Sequence, residues 1–266
     1  MKDILEEIVA DKRIEVEAQK QTVTPGELYG MVETAIESNV HTPLSMSASL
    51  LASKSGIISE FKRKSPSKGW IHEDAKVEEI VPLYSNNGAS AISILTDEKY
   101  FGGNLRFISK VRERVTVPIL RKDFIIDEYQ LFQARLVGAD AVLLIAADLK
   151  PGECKSLAHT AHELGLETLL EVHTEKELEY VGDDIDMVGV NNRNLGTFHT
   201  DVQNSFRLAE CLPKDFVLVS ESGIGDVSTI RQLREVGFRG FLIGETFMKT
   251  AEPGTTLAQF VSEIEQ

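Results

Sequence analysis

Charged and amide side chains end several short apolar runs in this sequence. They include Glu60, Lys62, Asp97, Arg121, Lys122, Asp123, Glu171, Asn191, Arg193, Glu221 and Glu245. Taken singly, each could be the solvated start of a loop. Together they fit that interpretation poorly, because burying a carboxylate or an ammonium group is costly unless the group is paired or used. The set therefore indicates a functional site at one face of the fold.

Two further features indicate that the site binds an anion. The run Lys62–Lys68 is basic and comes directly after an apolar run. On its own it could also be a solvated face, and a nuclear-targeting signal is a weaker alternative. Ser222-Gly223 and Gly244 end two later runs. Glycine lets backbone N–H groups approach a phosphate closely, and a following helix start adds its dipole, although these glycines could also serve only the turns.

The elements that must position these residues follow from the pattern of the chain. Short β-rich runs alternate with helical stretches, and the runs cover residues 56–61, 91–95, 117–120, 141–145, 167–171, 187–191, 216–219 and 240–244. Such alternation predicts parallel βα units, and eight units fit a closed (β/α)8 TIM barrel. An open doubly wound sheet is the main competitor. It usually has fewer strands and a glycine-rich first turn, whereas the first turn here is basic.

The first fifty residues carry no strand signal and look helical. The segment Ile4–Val9 has an apolar stripe at helical spacing, and Thr24-Pro25 is typical of a helix start. In a barrel the active site lies at the carboxyl ends of the strands, which is where the candidate residues stand. We predict a single α/β domain over residues 1–266, with a helical extension (1–50), a barrel core (56–250) and a C-terminal helix (251–266).

The composition excludes several classes of function. The formal net charge is −14, so attraction to nucleic acid is not expected. No stretch approaches the roughly 18 apolar residues of a membrane span, and the amino terminus lacks the apolar core of a signal peptide, so we expect a cytoplasmic protein. The two cysteines are too few for a disulfide framework, and the scattered histidines predict no metal site. A monomer is favoured, with the oligomeric state left open.

An ordered set of motifs resembles those of indole-3-glycerol-phosphate synthases over about residues 57–248. The motifs are Ile58–Gly69, Leu95–Asp97, Tyr100–Gly103, Leu120–Phe124, Leu170–His173, Gly189–Leu195, Ser220–Ile224 and Leu242–Glu245. The helical extension is also similar to that of the family. The resemblance implies a carboxy-lyase of tryptophan biosynthesis. It closes 1-(2-carboxyphenylamino)-1-deoxyribulose 5-phosphate to indole-3-glycerol phosphate with loss of CO₂ and water, and it needs no cofactor.

The resemblance also implies a role for each matching catalytic residue. Lys122 would be the general acid at the carbonyl where the ring closes, and Glu171 would be its carboxylate partner. Glu60 and Lys62 would transfer protons during dehydration. Asn191 would orient polar parts of the substrate.

For substrate binding, the resemblance implies a phosphate site, an aromatic pocket and groups that hold polar atoms. The phosphate site would comprise Ser65, Ser222, Gly223 and Gly244. The aromatic pocket would comprise Phe101, Phe124, Leu143 and Leu195, and Leu242 would also bind substrate. Arg193 would hold polar atoms, and Glu245 departs from the family, in which serine is common beside the phosphate. Its carboxylate would repel the phosphate, so we expect only its backbone N–H to face the site.

The charges of the substrate and of the protein agree with this assignment. The substrate carries a phosphate and a carboxylate, so an acidic protein must gather Lys62, Lys122 and Arg193 at one face. A lysine crowded by other cations would have a lowered pKa, which suits acid catalysis near neutral pH. A phosphoribosylanthranilate isomerase is the nearest alternative, but it would favour a shorter chain and a cysteine–aspartate pair. A catalytically dead barrel is the other, and the intact carboxylates and lysines speak against it.

Overall fold

In a computed structural model, which describes residues 4–194 and 196–266, parallel strands form a closed ring. Among the described residues, eight strands make the ring in the order β1-β10-β9-β8-β7-β6-β5-β4. Their bounds are β1 (Ile57–Phe61), β4 (Ala91–Leu95), β5 (Ile119–Lys122), β6 (Ala141–Ile145), β7 (Glu167–Val172), β8 (Met187–Asn191), β9 (Val217–Glu221) and β10 (Gly240–Ile243). Because β1 pairs with both β10 and β4, the predicted barrel is confirmed and the open sheet is excluded.

Helices precede the first barrel strand, lie between most of the others and follow the last, whereas β7 and β8 are joined through a 3-10 helix (Glu175–Tyr180). Their bounds are α1 (Ile4–Thr22), α2 (Pro25–Glu37), α3 (Met46–Ala52), α4 (Val77–Asn86), α5 (Glu98–Phe101), α6 (Arg106–Val111), α7 (Glu128–Val137), α8 (Pro151–Glu163), α9 (Gln203–Ala209), α10 (Val227–Glu235), α11 (Glu245–Met248) and α12 (Pro253–Glu265). Within the described ranges, none of the helices has both the length and the apolar character needed to cross a membrane.

Two buried layers hold the barrel together. The larger lies between the strands and the surrounding helices, and the smaller fills the barrel interior with side chains such as Ile58, Leu120 and Val219. Met46 and Leu50 of α3 belong to the interior cluster. Helix α3 is held at the amino ends of the strands, where Ser47 N–H donates to the Glu167 carboxylate at 2.8 Å. The opposite end of the barrel therefore stays open for a site.

The N-terminal helices run along the outside of the barrel. Helix α2 begins as predicted, because the Thr24 side chain accepts from Glu27 N–H and the Glu27 carboxylate accepts from Thr24 N–H. Helix α1 buries Leu5, Ile8, Lys12 and Val16 at helical spacing. A buried lysine in that stripe is unusual, and it lies where α1 reaches the carboxyl ends of the strands.

The basic run after β1 folds differently from the expected loop. Lys64–Ser65 (β2) and Gly69–Trp70 (β3) form a short antiparallel hairpin. The Arg63 guanidinium and the Lys64 ammonium lie 5.3 and 5.5 Å from the centre of the Trp70 ring, within range of cation–π attraction. Two of the basic residues are thus used to hold the hairpin rather than to bind an anion.

Candidate active site

A cavity of about 930 Å³ opens at the carboxyl ends of the barrel strands and continues into a second recess beside it. All the described candidate residues line one or both. They are Glu60, Lys62, Ser65, Phe101, Lys122, Phe124, Leu143, Glu171, Asn191, Arg193, Ser222, Gly223, Leu242, Gly244 and Glu245. Leu195, the remaining candidate, lies outside the described residues. The sequence therefore identified side chains that the fold brings together.

Lys122 occupies the centre of a buried group that we call the catalytic floor: Glu60, Lys122, Glu171, Asn191 and Glu221. Its ammonium lies 3.2 Å from Glu171 Oε2 and 3.3 Å from Glu221 Oε2. Both carboxylates are almost fully buried, at 2 % and 1 % exposure. Each of these residues comes from the last two positions of a barrel strand, so the closed sheet itself fixes their separation.

This environment corrects the expected electrostatics of Lys122. Burial alone would lower its pKa, but Glu171, Glu221 and Glu60 together raise the pKa above the usual lysine value. The cations expected to crowd it lie elsewhere, because Lys62 is paired with Glu60 and Arg193 donates to Ser67 Oγ at 2.7 Å. Lys122 is therefore a fully charged ammonium at neutral pH, not a lysine with a lowered pKa.

Glu171 and Glu221 share this ammonium but differ in their other partners. Glu171 Oε1 also accepts from Asn191 Nδ2 at 3.1 Å. Burial would raise the pKa of Glu171, yet Lys122, His173 and Asn191 hold it below the usual value. In contrast, burial raises the pKa of Glu221 to about 7, with Lys122 opposing and Glu171 adding to the shift. Glu221 is thus the carboxyl group that holds a proton in the neutral range.

The sequence places Glu221 among the charged strand ends but assigns it no role. The motif around it, Ser220–Ile224, was interpreted through its serine and glycine as a phosphate site. One signal was available, because Gly189 lies in an apolar strand that should carry a side chain. A Cβ at Gly189 would lie 2.3 Å from Glu221 Oε1, so the missing side chain makes room for the carboxylate.

Glu60 and Lys62 form an ion pair at the edge of the floor. Lys62 Nζ donates to Glu60 Oε1 at 2.6 Å. Burial opposes ionisation of Glu60, but the charges of Lys62 and Lys122 keep its pKa below the usual value. Gly244 accommodates this side chain, since a Cβ there would lie 2.5 Å from Glu60 Oε1.

The apolar part of the cavity has two walls. One is formed by Phe101 and Phe124, whose ring centres are 6.1 Å apart. The other is formed by α1, which contributes Ile4, Leu5 and Ile8 to the cavity lining. Both walls are apolar, as binding of an aromatic ring requires.

We call the opposite part of the cavity the phosphate rim: Ser65, Lys68, Arg193, Gly223 and Glu245. Gly223 has φ +78° and follows Ser222, which has φ +67°. A non-glycine residue in this region is strained and often marks a functional turn. A Cβ at Gly223 would meet Thr200 Cγ2 at 2.6 Å. The turn thus presents its backbone N–H groups and has no room for a larger side chain at position 223.

Glu245 differs from the expectation that only its backbone faces the site. Its carboxylate lines both parts of the cavity, 3.6 Å from Lys68 Nζ and 3.9 Å from Arg193 Nη2. The protein's own carboxylate therefore lies beside the cations that could hold a phosphate. Within residues 4–194 and 196–266, no group of three or more histidine, cysteine, aspartate or glutamate side chains could hold a metal ion.

Comparison with known proteins identifies relatives along the whole chain. A family model described as indole-3-glycerol phosphate synthase matches residues 5–260. An indole-3-glycerol phosphate synthase from Bacteroides thetaiotaomicron is 61% identical over 265 residues, covering 100% of both chains. Another from Polynucleobacter asymbioticus is 40% identical and covers 97% of this chain and 99% of its own.

Solved structures with low identity share the fold. KGPDC from Streptococcus mutans superposes with a TM-score of 0.60 at 12% identity, covering 79% of this chain and 96% of that one. A tryptophan synthase alpha-subunit mutant from Pyrococcus furiosus superposes with a TM-score of 0.58 at 16% identity, covering 79% of this chain and 98% of that one. At these identities the likeness concerns the barrel alone.

Proposed function

This chain belongs to the indole-3-glycerol phosphate synthase family, and from that premise we propose how its barrel mouth carries out the reaction. The enzyme is a carboxy-lyase of tryptophan biosynthesis. It closes 1-(2-carboxyphenylamino)-1-deoxyribulose 5-phosphate to indole-3-glycerol phosphate, and CO₂ and water are lost.

The two halves of the cavity suggest how the substrate lies. The phosphate binds at the rim, where backbone N–H groups of the Gly223 turn and the cations Lys68 and Arg193 can reach it. The carboxyphenyl ring binds between Phe101 and the wall formed by α1. This orientation brings the ribulose carbonyl over the catalytic floor.

Ring closure requires a proton at the ribulose carbonyl. As the aromatic carbon that bears the carboxylate attacks the carbonyl carbon, the carbonyl oxygen takes a proton from the Lys122 ammonium and becomes a hydroxyl. Because the ionised Glu171 carboxylate lies 3.2 Å from Lys122, its charge favours the ammonium before the reaction. Glu221, 3.3 Å away and protonated from the start, can then return its proton to Lys122. Positioned proton transfer of this kind contributes about 10²–10⁴-fold to a rate.

The remaining steps restore aromaticity and then remove water. Loss of CO₂ leaves its bonding electrons in the ring. The new hydroxyl then departs as water, and a proton leaves the adjacent carbon. The Glu60–Lys62 pair supplies an acid and a base within 2.6 Å of each other for this step, and Asn191 keeps Glu171 in place.

The observation that carries the proposal is the charged Lys122 held among three buried carboxylates beside an apolar cavity. The proposal also includes a single domain, a cytoplasmic location and a monomer. The composition is ordinary for a globular domain, and two free cysteines are usual in the cytoplasm.

The experiment is turnover of the substrate by purified protein, followed by indole fluorescence and CO₂ release. We expect both products in equal amounts without added metal, and unchanged rates in chelator. An isomerase would release neither product, and an inactive barrel would bind substrate without turnover. Either result would refute the proposed function.

A further inference from the structure

We propose that Lys12 of helix α1 is a positioning residue for the aromatic half of the site. The inference deepens the proposed function and rests on it. Lys12 does not line the cavity, and its side chain is only 1 % exposed. Its effect on the substrate must therefore pass through other residues.

The Lys12 ammonium is enclosed by three carboxylates. It lies 2.9 Å from Asp97 Oδ2, 3.0 Å from Asp123 Oδ1 and 2.8 Å from Glu15 Oε2. Burial alone would lower its pKa, but these charges raise it above the usual lysine value. A buried charge of this kind is tolerated only with good geometry. Without Lys12, Asp123 would keep the Arg121 guanidinium at 2.9 Å, whereas Asp97 would lose its cation. Lys12 thus fixes α1 against the two loops that carry Asp97 and Asp123.

Each of these aspartates also orients an aromatic residue of the cavity. Asp97 Oδ1 accepts from Tyr100 N–H at 2.8 Å and caps α5, the short helix that ends at Phe101. Asp123 Oδ1 accepts from the backbone N–H of Phe124 at 2.9 Å. The Lys12 ammonium therefore joins the two carboxylates that set the backbone of the Phe101–Phe124 pair.

The same helix provides the facing wall. Ile8 lies one helical turn before Lys12 and lines the cavity, together with Ile4 and Leu5. One ammonium group consequently sets the distance between the α1 wall and the aromatic pair. Lys12 contacts no residue of the catalytic floor or the phosphate rim. Asp123, which adjoins Lys122, stays paired with Arg121 at 2.9 Å when Lys12 is lost, so the loss should act mainly on the aromatic half.

A second lysine on α1 provides a matched control. Lys20 lies 2.7 Å from Asp127 Oδ2 and 3.2 Å from Glu17 Oε1, and Asp127 caps α7. The tether is of the same kind as that of Lys12, but it does not reach the cavity. Lys20→Met should therefore reproduce a general loosening of α1 without the specific effect.

The test compares Lys12→Met with Lys20→Met in the full chain. Steady-state indole formation, inhibition by inorganic phosphate and binding of 2-aminobenzoate, a probe of the aromatic half, are measured for both. For Lys12→Met we expect KM to rise about tenfold with kcat changed much less, the pattern of lost uniform binding. The affinity for 2-aminobenzoate should fall in parallel, and inhibition by phosphate should stay at the wild-type value. Lys12→Arg should recover part of the loss because it keeps the charge.

Two outcomes would overturn the inference while leaving the proposed function intact. One is a Lys12→Met variant with the KM of Lys20→Met. The other is equal weakening of phosphate and 2-aminobenzoate binding, which indicates a general structural defect. If Lys12→Met does not fold, Asp97→Asn decides the matter. Asparagine can still cap α5 but lacks the charge, and an unchanged KM would again refute the role of Lys12. Absence of indole formation by the wild type would instead refute the proposed function itself.

Discussion

The catalytic floor and the phosphate rim lie side by side in one cavity, but they are built by different means. Floor residues such as Lys122 and Glu221 end barrel strands and are buried against one another. Rim residues such as Lys68 and Glu245 belong to loops or helix starts and remain partly exposed, at 57 % and 36 %. The floor is buried by the barrel strands, so charges there interact strongly. At the rim, solvent screens the same kind of pair.

The difference separates the residues that determine the chemical step from those that determine substrate affinity. Protonation states are set where ionisable groups are desolvated and their neighbours are fixed. Affinity for a phosphate depends on backbone N–H groups and exposed cations that can adjust. Changes in the floor should therefore reduce kcat, and changes at the rim should act on KM. Four predictions test this contrast, beginning with the largest expected effect.

The largest effect is expected for Lys122→Met. Methionine keeps much of the stem's bulk but removes the proton donor, so kcat should fall by about 10²–10⁴-fold. Substrate-analogue affinity should change much less, because the rim is intact. The measurement is indole fluorescence together with analogue titration and circular dichroism. Turnover within about tenfold of wild type, below the range for positioned acids, would transfer the acid role to Lys62.

Glu221 should make stability depend on pH in the neutral range. Its pKa is about 7 in the folded protein, against 4.5 for the ordinary carboxyl. The folded state therefore holds a proton that the unfolded chain releases, and the free energy of unfolding should fall as pH rises from 4.5 to 7. At 1.36 kcal/mol per pKa unit the full contribution is about 3 kcal/mol.

Urea unfolding at several pH values measures this effect. In Glu221→Gln the decline assigned to this group should disappear, whereas the rim variant Glu245→Gln should keep it. Parallel curves for wild type and Glu221→Gln would show that the floor does not hold its proton on Glu221.

Gly223→Val should act on binding. Valine is disfavoured at φ +78°, and its Cβ would meet Thr200 Cγ2 at 2.6 Å, so the turn must move. We expect KM and the inhibition constant of inorganic phosphate to rise together by about tenfold, with a smaller change in kcat. Gly225→Ala in the same loop is the control, since a Cβ there meets nothing within 4 Å. An unchanged KM would argue against the rim as the phosphate site.

Glu245→Ser should have the smallest effect, and in the opposite direction. The carboxylate competes with phosphate for Lys68 and Arg193, so its removal should lower KM by about threefold, as exposed ion pairs are worth at most about 1 kcal/mol. Glu245→Asp keeps the charge and serves as the control. A rise in KM would mean that Glu245 holds the loops in place for the substrate rather than opposing it.

The two regions also differ in how far the sequence predicts them. The barrel follows from alternating runs and helices, and the floor residues are visible as charged ends of apolar strands. The environment of Lys122 is not visible, because its partners lie on strands distant along the chain and meet it only when the ring closes. That is why its pKa was expected to move in the wrong direction.

Short or irregular features escape prediction for another reason. The hairpin formed by Lys64–Ser65 and Gly69–Trp70 has two-residue strands, too short to show a periodic pattern. Its stability comes partly from Trp70 stacking with Arg63 and Lys64, a contact that depends on the folded turn. The side-chain direction of Glu245 likewise depends on cations supplied by two other loops.

The spaces left by Gly189 and Gly244 have a consequence for how this enzyme can evolve. Neither glycine has a functional group, yet each leaves the volume that a carboxylate of the floor occupies. A mutation of either glycine to alanine, the smallest possible substitution, would displace Glu221 or Glu60 from its position beside Lys122. Purifying selection for catalysis therefore extends to positions that carry no chemistry. More positions are therefore sensitive to mutation than the residues that take part in the reaction.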